Sequence, residues 1–203
     1  MMEKWKDIYN LCKNAWKGGL PETICGSGST IRNSSIIIEG LNKMINNYDI
    51  KSIADLGCGD FNWMKKVNLS SIDYIGYDWF IKNNADIYGS ENITFAEGNI
   101  ADIDIRKSDL VICKDVMIHM DNDHALAILN NIKRSKPKYL FVTTFNICSN
   151  DKRDLNSNFA PLNIELKPFY IMGLLYRISL AMPDYPPNDE KYFNFYRLND
   201  RDI

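Results

Sequence analysis

Apolar positions recur at helical spacing over residues 3–17, where Trp5, Ile8, Tyr9, Cys12 and Trp16 would share one face, and Gly18-Gly19 stops the stripe. A second helix is predicted over 34–48. After that the pattern alternates between short apolar runs and amphipathic ones. Strands are predicted at 52–56, 72–77, 92–96, 109–113 and 138–144, with helices at 61–67, 79–87 and 122–135. Asp121 or Asn122 can cap the last helix, and Lys136-Pro137 closes it. The stretch 99–107 is too short for a crossover helix and reads as a loop or a single turn. Two further runs, 162–166 and 192–198, are strand candidates that would finish the sheet. Residues 167–190, rich in proline and aromatics, read as a lid or a substrate-side insertion. This alternation predicts an α/β fold: one doubly wound domain over 1–203 with a mostly parallel sheet, N-terminal helices and an antiparallel C-terminal strand. Within it, 1–48 would be a helical cap, 49–146 the core and 147–203 the substrate side.

The chemistry concentrates after the first strand, in Asp55-Leu56-Gly57-Cys58-Gly59-Asp60. Gly57 and Gly59 permit a tight turn with close backbone approach, and Asp60 can cap a helix starting at Phe61. A strand, a glycine turn and a helix N-terminus make a nucleotide-type site. Asp55 refines this. A loop holding a pyrophosphate would not place a carboxylate at its entrance, whereas one holding a sulfonium and an ammonium would. That favours S-adenosylmethionine over a dinucleotide. The next strand ends in Asp78, 23 residues after Asp55, close to the spacing at which a second-strand acid meets ribose hydroxyls. Upstream, Gly26-Ser27-Gly28-Ser29-Thr30 reads either as a flexible connector or as a backbone and hydroxyl cradle over a ligand.

Composition narrows the partners. With 24 Lys and Arg against 26 Asp and Glu, the net charge of -2 argues mildly against a nucleic-acid surface. Five cysteines without metal-pair spacing and only two histidines argue against a zinc site. Reduced thiols and an N-terminus without an apolar signal core fit a cytoplasmic protein. The apolar stretch 169–182 is interrupted by Arg177 and too short to span a bilayer, so no membrane partner is expected.

The fourth strand delivers Lys114 and Asp115 to the edge where ligands sit in open α/β sheets, and His119 follows four residues after Asp115. A helical turn there would put both on one side, and a carboxylate beside an imidazole can orient it as a base. The alternative is that Asp115 caps a turn and His119 only packs. His124, inside the 122–135 pattern, reads as a surface residue.

These segments carry a resemblance. Over residues 50–145 the chain resembles the class I S-adenosylmethionine-dependent methyltransferases. More narrowly, and over nearly its whole length, it is similar to a bacterial and phage-associated subfamily, some members of which are linked to capsular or surface-glycan modification. The most specific matches are Cys58-Gly59-Asp60-Phe61-Asn62-Trp63-Met64 and Asp115-Val116-Met117-Ile118-His119. The resemblance implies a Rossmann-like methyltransferase fold and S-adenosylmethionine as cofactor. It implies cofactor contacts from Ser27, Gly28, Ser29, Asp55, Gly57, Cys58, Gly59, Trp63, Asp78, Asn99, Ile100 and Lys114, with Asp115 and His119 as the catalytic pair. The implied reaction is O-methylation of a sugar or a sugar-linked small group. Three positions depart from the pattern. Phe61 replaces the third glycine of the common loop, Lys114 stands where Arg is expected, and Ala160 stands where an Arg is expected before Pro161-Leu162-Asn163. Arg153 is a candidate replacement for the last. Two other readings remain: methylation of nucleic acid or protein, and a binding module that keeps the fold without catalysis.

Overall fold

The computed structural model describes residues 22–79, 84–151, 159–180 and 190–199. The expected helix over 3–17, part of the 79–87 helix, Arg153 and residues 181–189 lie outside them. Seven strands form one sheet: β1 (Ser52–Leu56), β2 (Asp73–Asp78), β3 (Ile93–Glu97), β4 (Leu110–Cys113), β5 (Tyr139–Phe145), β6 (Leu174–Leu180) and β7 (Lys191–Arg197). Their order is β3-β2-β1-β4-β5-β7-β6. The first five are parallel, whereas β7 runs antiparallel to β5 and to β6.

Both faces of the sheet are covered, and strand residues alternate between two cores, as a period of two requires. Ile53, Leu110, Ile112, Phe141, Phe193 and Phe195 face one core with Ile37, Leu41, Met44 and Ile45 of α1 (Ile31–Asn47). Ala54, Leu56, Val111, Cys113, Leu140 and Val142 face the other with Ala125, Ile128, Leu129 and Ile132 of α3 (Asn122–Ser135). A short α2 (Asn84–Tyr88) follows β2. Caps set the helix limits. The Thr30 side chain accepts the Asn33 N–H, so α1 begins three residues earlier than the apolar pattern implies. Asp121 accepts the His124 N–H at the start of α3, and Lys136 ends it in the left-handed region at φ 52°.

Two expected elements are absent among the described residues. The 61–67 helix does not form; only a 3-10 turn, Met64–Lys66, is present. Phe61 sits at φ 59°, its ring packed against Tyr74, Tyr88 and Phe95 with centroids 5.2 Å away in each case. The Asp60 carboxylate accepts from Thr23 Oγ1 and the Ile24 N–H, tying down the upstream segment instead of capping a helix. Phe61, Trp63, Met64 and Val67 are apolar because all four are buried, not because they line one helical face. Residues 162–166 form no strand either. Leu162 and Ile164 are buried; Leu162 O accepts the Phe145 N–H, and Thr144 Oγ1 bridges Leu162 O and Ile164 N, so one backbone bond and one side chain stand where a ladder was expected. The added strand is instead β6, from the segment read as a lid, at the sheet edge.

Candidate active-site cleft

The carboxyl ends of β1, β2 and β4 open into a cleft of about 270 Å³. One wall is the turn after β1. Gly57 and Gly59 adopt φ 78° and 57°, in the left-handed region. A Cβ on Gly57 would stand 2.3 Å from Val116 Cγ2, so glycine is required there twice over. The Gly57 and Cys58 N–H groups both donate to Tyr77 O, and the Gly59 N–H donates to Asp78 Oδ2 at 2.9 Å. The turn is thereby fixed against the tip of β2. Gly57, Cys58, Gly59, Trp63 and Asp78 line this side, with Asn99 and Ile100 beyond β3.

The opposite lip is the glycine-serine segment. Ser27–Ser29 forms a 3-10 turn held by long-range bonds: Lys114 Nζ donates to Gly28 O at 2.9 Å, and Asn62 Nδ2 donates to Ser29 O at 3.0 Å. Asn62 also donates to Glu22, whose carboxylate accepts the Ile31 N–H at the start of α1. Ser27, Gly28 and Ser29 line the cleft, so the segment is a docked lip and not a slack connector.

Asp55 is the one expected cofactor residue off the cleft wall. It is 2% exposed and accepts the Tyr74 hydroxyl at 2.9 Å behind the turn. Burial pushes its carboxyl up to about 7, against the opposing pull of the Tyr74 hydrogen bond and the Lys114 charge. The strand period explains the placement: Asp55 shares the face of Ile53, while Leu56 leads into the turn.

Asp115 and His119 both line the cleft, but they do not form the pair that their spacing suggested. Asp115 turns the chain at φ 56°, and its N–H donates to Thr143 Oγ1. Its Oδ2 accepts from Lys114 at 2.9 Å, and its Oδ1 takes Thr143 Oγ1 at 3.0 Å and Lys191 Nζ at 2.7 Å. Burial alone would raise the Asp115 carboxyl, but the two ammonium groups outweigh it and hold it well below the usual carboxylate range. Asp115 is therefore a permanent anion spent on two lysines. A 3-10 turn, Met117–His119, carries His119 to the wall, where its ring lies edge-on to Phe159. His124, expected on the surface, also lines the cleft, with Nδ1 2.5 Å from Asp121 Oδ1. The first turn of α3 faces the cleft, and the helical pattern alone did not say which way it points.

Sequence reasoning missed Lys191, Thr143 and Trp79. Trp79 follows directly on the acid of β2 and lines the cleft. Thr143 and Lys191 meet Asp115 because β4, β5 and β7 are neighbours in the sheet. Their signal was faint: a threonine pair interrupting an apolar strand, and a lysine heading an aromatic one. Among the described residues, no group of three or more His, Cys, Asp or Glu side chains could hold a metal ion, and no helix is long and apolar enough to cross a membrane.

No protein-family model and no curated protein matches this chain. Solved structures do share its fold. The methyltransferase domain of bacterial CtHen1 superposes with a TM-score of 0.60 at 15% identity, covering 81% of this chain and 99% of that one. N-methyltransferase NodS from Bradyrhizobium japonicum, in complex with S-adenosyl-L-homocysteine, gives 0.61 at 10% identity, over 81% of this chain and 86% of that one. An O-methyltransferase family protein from Burkholderia thailandensis gives 0.56 at 13% identity, over 84% and 57%. The sheet, with its mostly parallel order and antiparallel C-terminal strands, is thus the Rossmann-like one of these proteins.

Proposed function

We propose that this chain is an S-adenosylmethionine-dependent methyltransferase. The observation that carries the reading is the acid-tipped β2 locked to the glycine turn of β1 at the mouth of the cleft. The fold it shares with methyltransferases, one of them holding S-adenosylhomocysteine, supports it. The donor set fits such a cofactor. The Asp78 carboxylate, at the tip of β2 and on the cleft wall, is an acceptor suited to ribose hydroxyls. Lys114, 6% exposed beside the glycine-serine lip, suits the carboxylate of the methionyl end. Asp55, one layer behind, offers a counter-charge to a sulfonium or an ammonium.

When bound, the cofactor supplies an electrophilic methyl group on sulfur. The chain contributes position, a dry wall of Ile118, Met120 and Phe159, and a base. With Asp115 engaged by two lysines, the imidazole of His119 is the group proposed to take a hydroxyl proton from the acceptor. Its orientation would come from packing against Phe159 rather than from Asp115. An oxygen acceptor on a sugar or sugar-linked group follows from the subfamily resemblance together with this base. The shared fold does not choose among acceptors, since small RNA, N- and O-methyltransferases all adopt it.

The test is calorimetry with S-adenosylhomocysteine. Micromolar binding is expected, about -8 kcal/mol. Asp78→Ala should weaken it by roughly tenfold, the scale of hydrogen bonds to a charged acceptor. Absence of heat and of any thermal shift in the wild-type chain would reject the methyltransferase reading.

A further inference from the structure

The cluster of Lys114, Asp115 and Lys191 is unbalanced. Two lysines, 6% and 5% exposed, share one carboxylate, so the group carries a net positive charge on the cleft wall. Lys114 directs two donors at Gly28 O and Asp115 Oδ2. Lys191 is less well served. Its ammonium meets Asp115 Oδ1 at 2.7 Å and lies 5.2 Å from the centre of the Phe193 ring. Among the described residues it has no other polar side-chain partner, although an ammonium carries three donors. Burial lowers its affinity for the proton, and Asp115 only partly restores it. The other buried acid nearby, Asp55, acts on Lys114. A buried, under-partnered cation is costly unless something supplies an acceptor.

Its place in the sheet says what that something is. Asp78 tips β2, Lys114 follows β4 two strands away, and Lys191 begins β7 two strands further on, beside Phe145 of β5. At about 4.8 Å per strand, the first interval, from β2 to β4, is roughly 10 Å. A nucleoside on Asp78 with its amino-acid end at Lys114 takes up the first interval. Lys191 holds the Asp115 oxygen that Lys114 does not, from a strand further from Asp78 along the sheet, and this side, with His119 and Phe159 on the same cleft wall, is left for the acceptor. We propose that Lys191 is the anion subsite of the acceptor pocket, and that the methyl acceptor carries a carboxylate seated on its ammonium. An ammonium with one carboxylate partner and donors to spare suits a carboxylate. The inference rests on the methyltransferase reading for the direction of the cofactor, and on the lysine cluster for the charge.

Acetate is the probe, and acetamide is its uncharged counterpart. Thermal unfolding of the full chain is followed in 0 to roughly 200 mM of each, at constant ionic strength, with and without saturating S-adenosylhomocysteine. Acetate should raise Tm saturably by roughly 3 °C and acetamide should not. Lys191→Met should abolish the acetate response while changing the Kd for S-adenosylhomocysteine by less than about threefold. Should that variant not fold, Lys191→Gln carries the same expectation. An acetate response that survives loss of the lysine overturns the proposal, as does a response equal to that of acetamide. A tenfold loss of S-adenosylhomocysteine affinity in Lys191→Met also overturns it, because it puts Lys191 on the cofactor. Inorganic phosphate is run in parallel, and a response to phosphate alone overturns the carboxylate assignment. If S-adenosylhomocysteine fails to bind the wild type, the cofactor reading falls, while the acetate arm without it still reads Lys191.

Discussion

Asp55 couples the stability of this protein to the proposed cofactor. Its carboxyl rises from 3.8 to about 7, with burial as the leading cause. A carboxyl that binds its proton more tightly when folded makes the folded state lose stability as pH rises. The contribution is whole below the unfolded value near 4 and is lost progressively until pH passes the folded value near 7. A shift of this size at about 1.4 kcal/mol per unit corresponds to a cost on the order of 4 kcal/mol for keeping Asp55 ionised at pH 8. Asp55→Asn removes the titration and keeps an oxygen to accept the Tyr74 hydroxyl. Urea unfolding of both proteins at pH 4, 6 and 8 measures the effect. The stability of the variant relative to wild type should climb by roughly 2–4 kcal/mol across that range, whatever fixed offset the amide introduces. If the difference does not change with pH, Asp55 does not titrate as argued and the reasoning is refuted. The same carboxylate should distinguish the charged cofactor from its neutral product. If only ionised Asp55 favours the sulfonium, affinity for S-adenosylmethionine rises about tenfold from pH 6 to pH 8. That for S-adenosylhomocysteine should rise less, and Asp55→Asn should flatten the profile.

Other expectations follow from the cleft. Gly57→Ala must move Val116 and hold alanine at φ 78°, so it should cost at least about 2 kcal/mol by thermal unfolding and abolish the calorimetric signal for S-adenosylhomocysteine. Phe61→Ala relieves little at φ 59° and empties an aromatic cluster, so a net loss of roughly 3 kcal/mol is expected in denaturant unfolding. A neutral result would mean that the surrounding rings close over the alanine and that the Phe61 ring does not hold the cluster together. Asp115→Asn leaves two buried lysines without their anion and should destabilise the fold by about 3–5 kcal/mol. His119→Ala should fold normally and lower turnover roughly 100-fold once an acceptor is in hand, with cofactor affinity unchanged. Near-normal turnover there would remove the base and leave proximity as the mechanism.

The sheet core and the place of the cleft were legible in the order of residues along the chain. Short apolar runs marked β1 to β5 within a residue or so, because the central strands of a parallel sheet are buried on both faces and read as nearly continuous apolar stretches. Gly57, Gly59 and Asp78 were legible because each carries a local backbone or topological requirement. Tertiary structure alone decided the rest. Apolar content at 61–67 looked like a helix, yet each side chain is drawn into the core separately, and Phe61 takes a left-handed backbone that no local preference predicts. The spacing from Asp115 to His119 suggested a catalytic pair, but the partners that claim Asp115 come from Thr143 on β5 and Lys191 on β7. The first contact exists because β5 lies beside β4, and the second because β7 inserts antiparallel between β5 and β6. Charge pairing across three strands leaves almost no trace along the chain, since Coulomb attraction depends on distance in space and the sequence records only order.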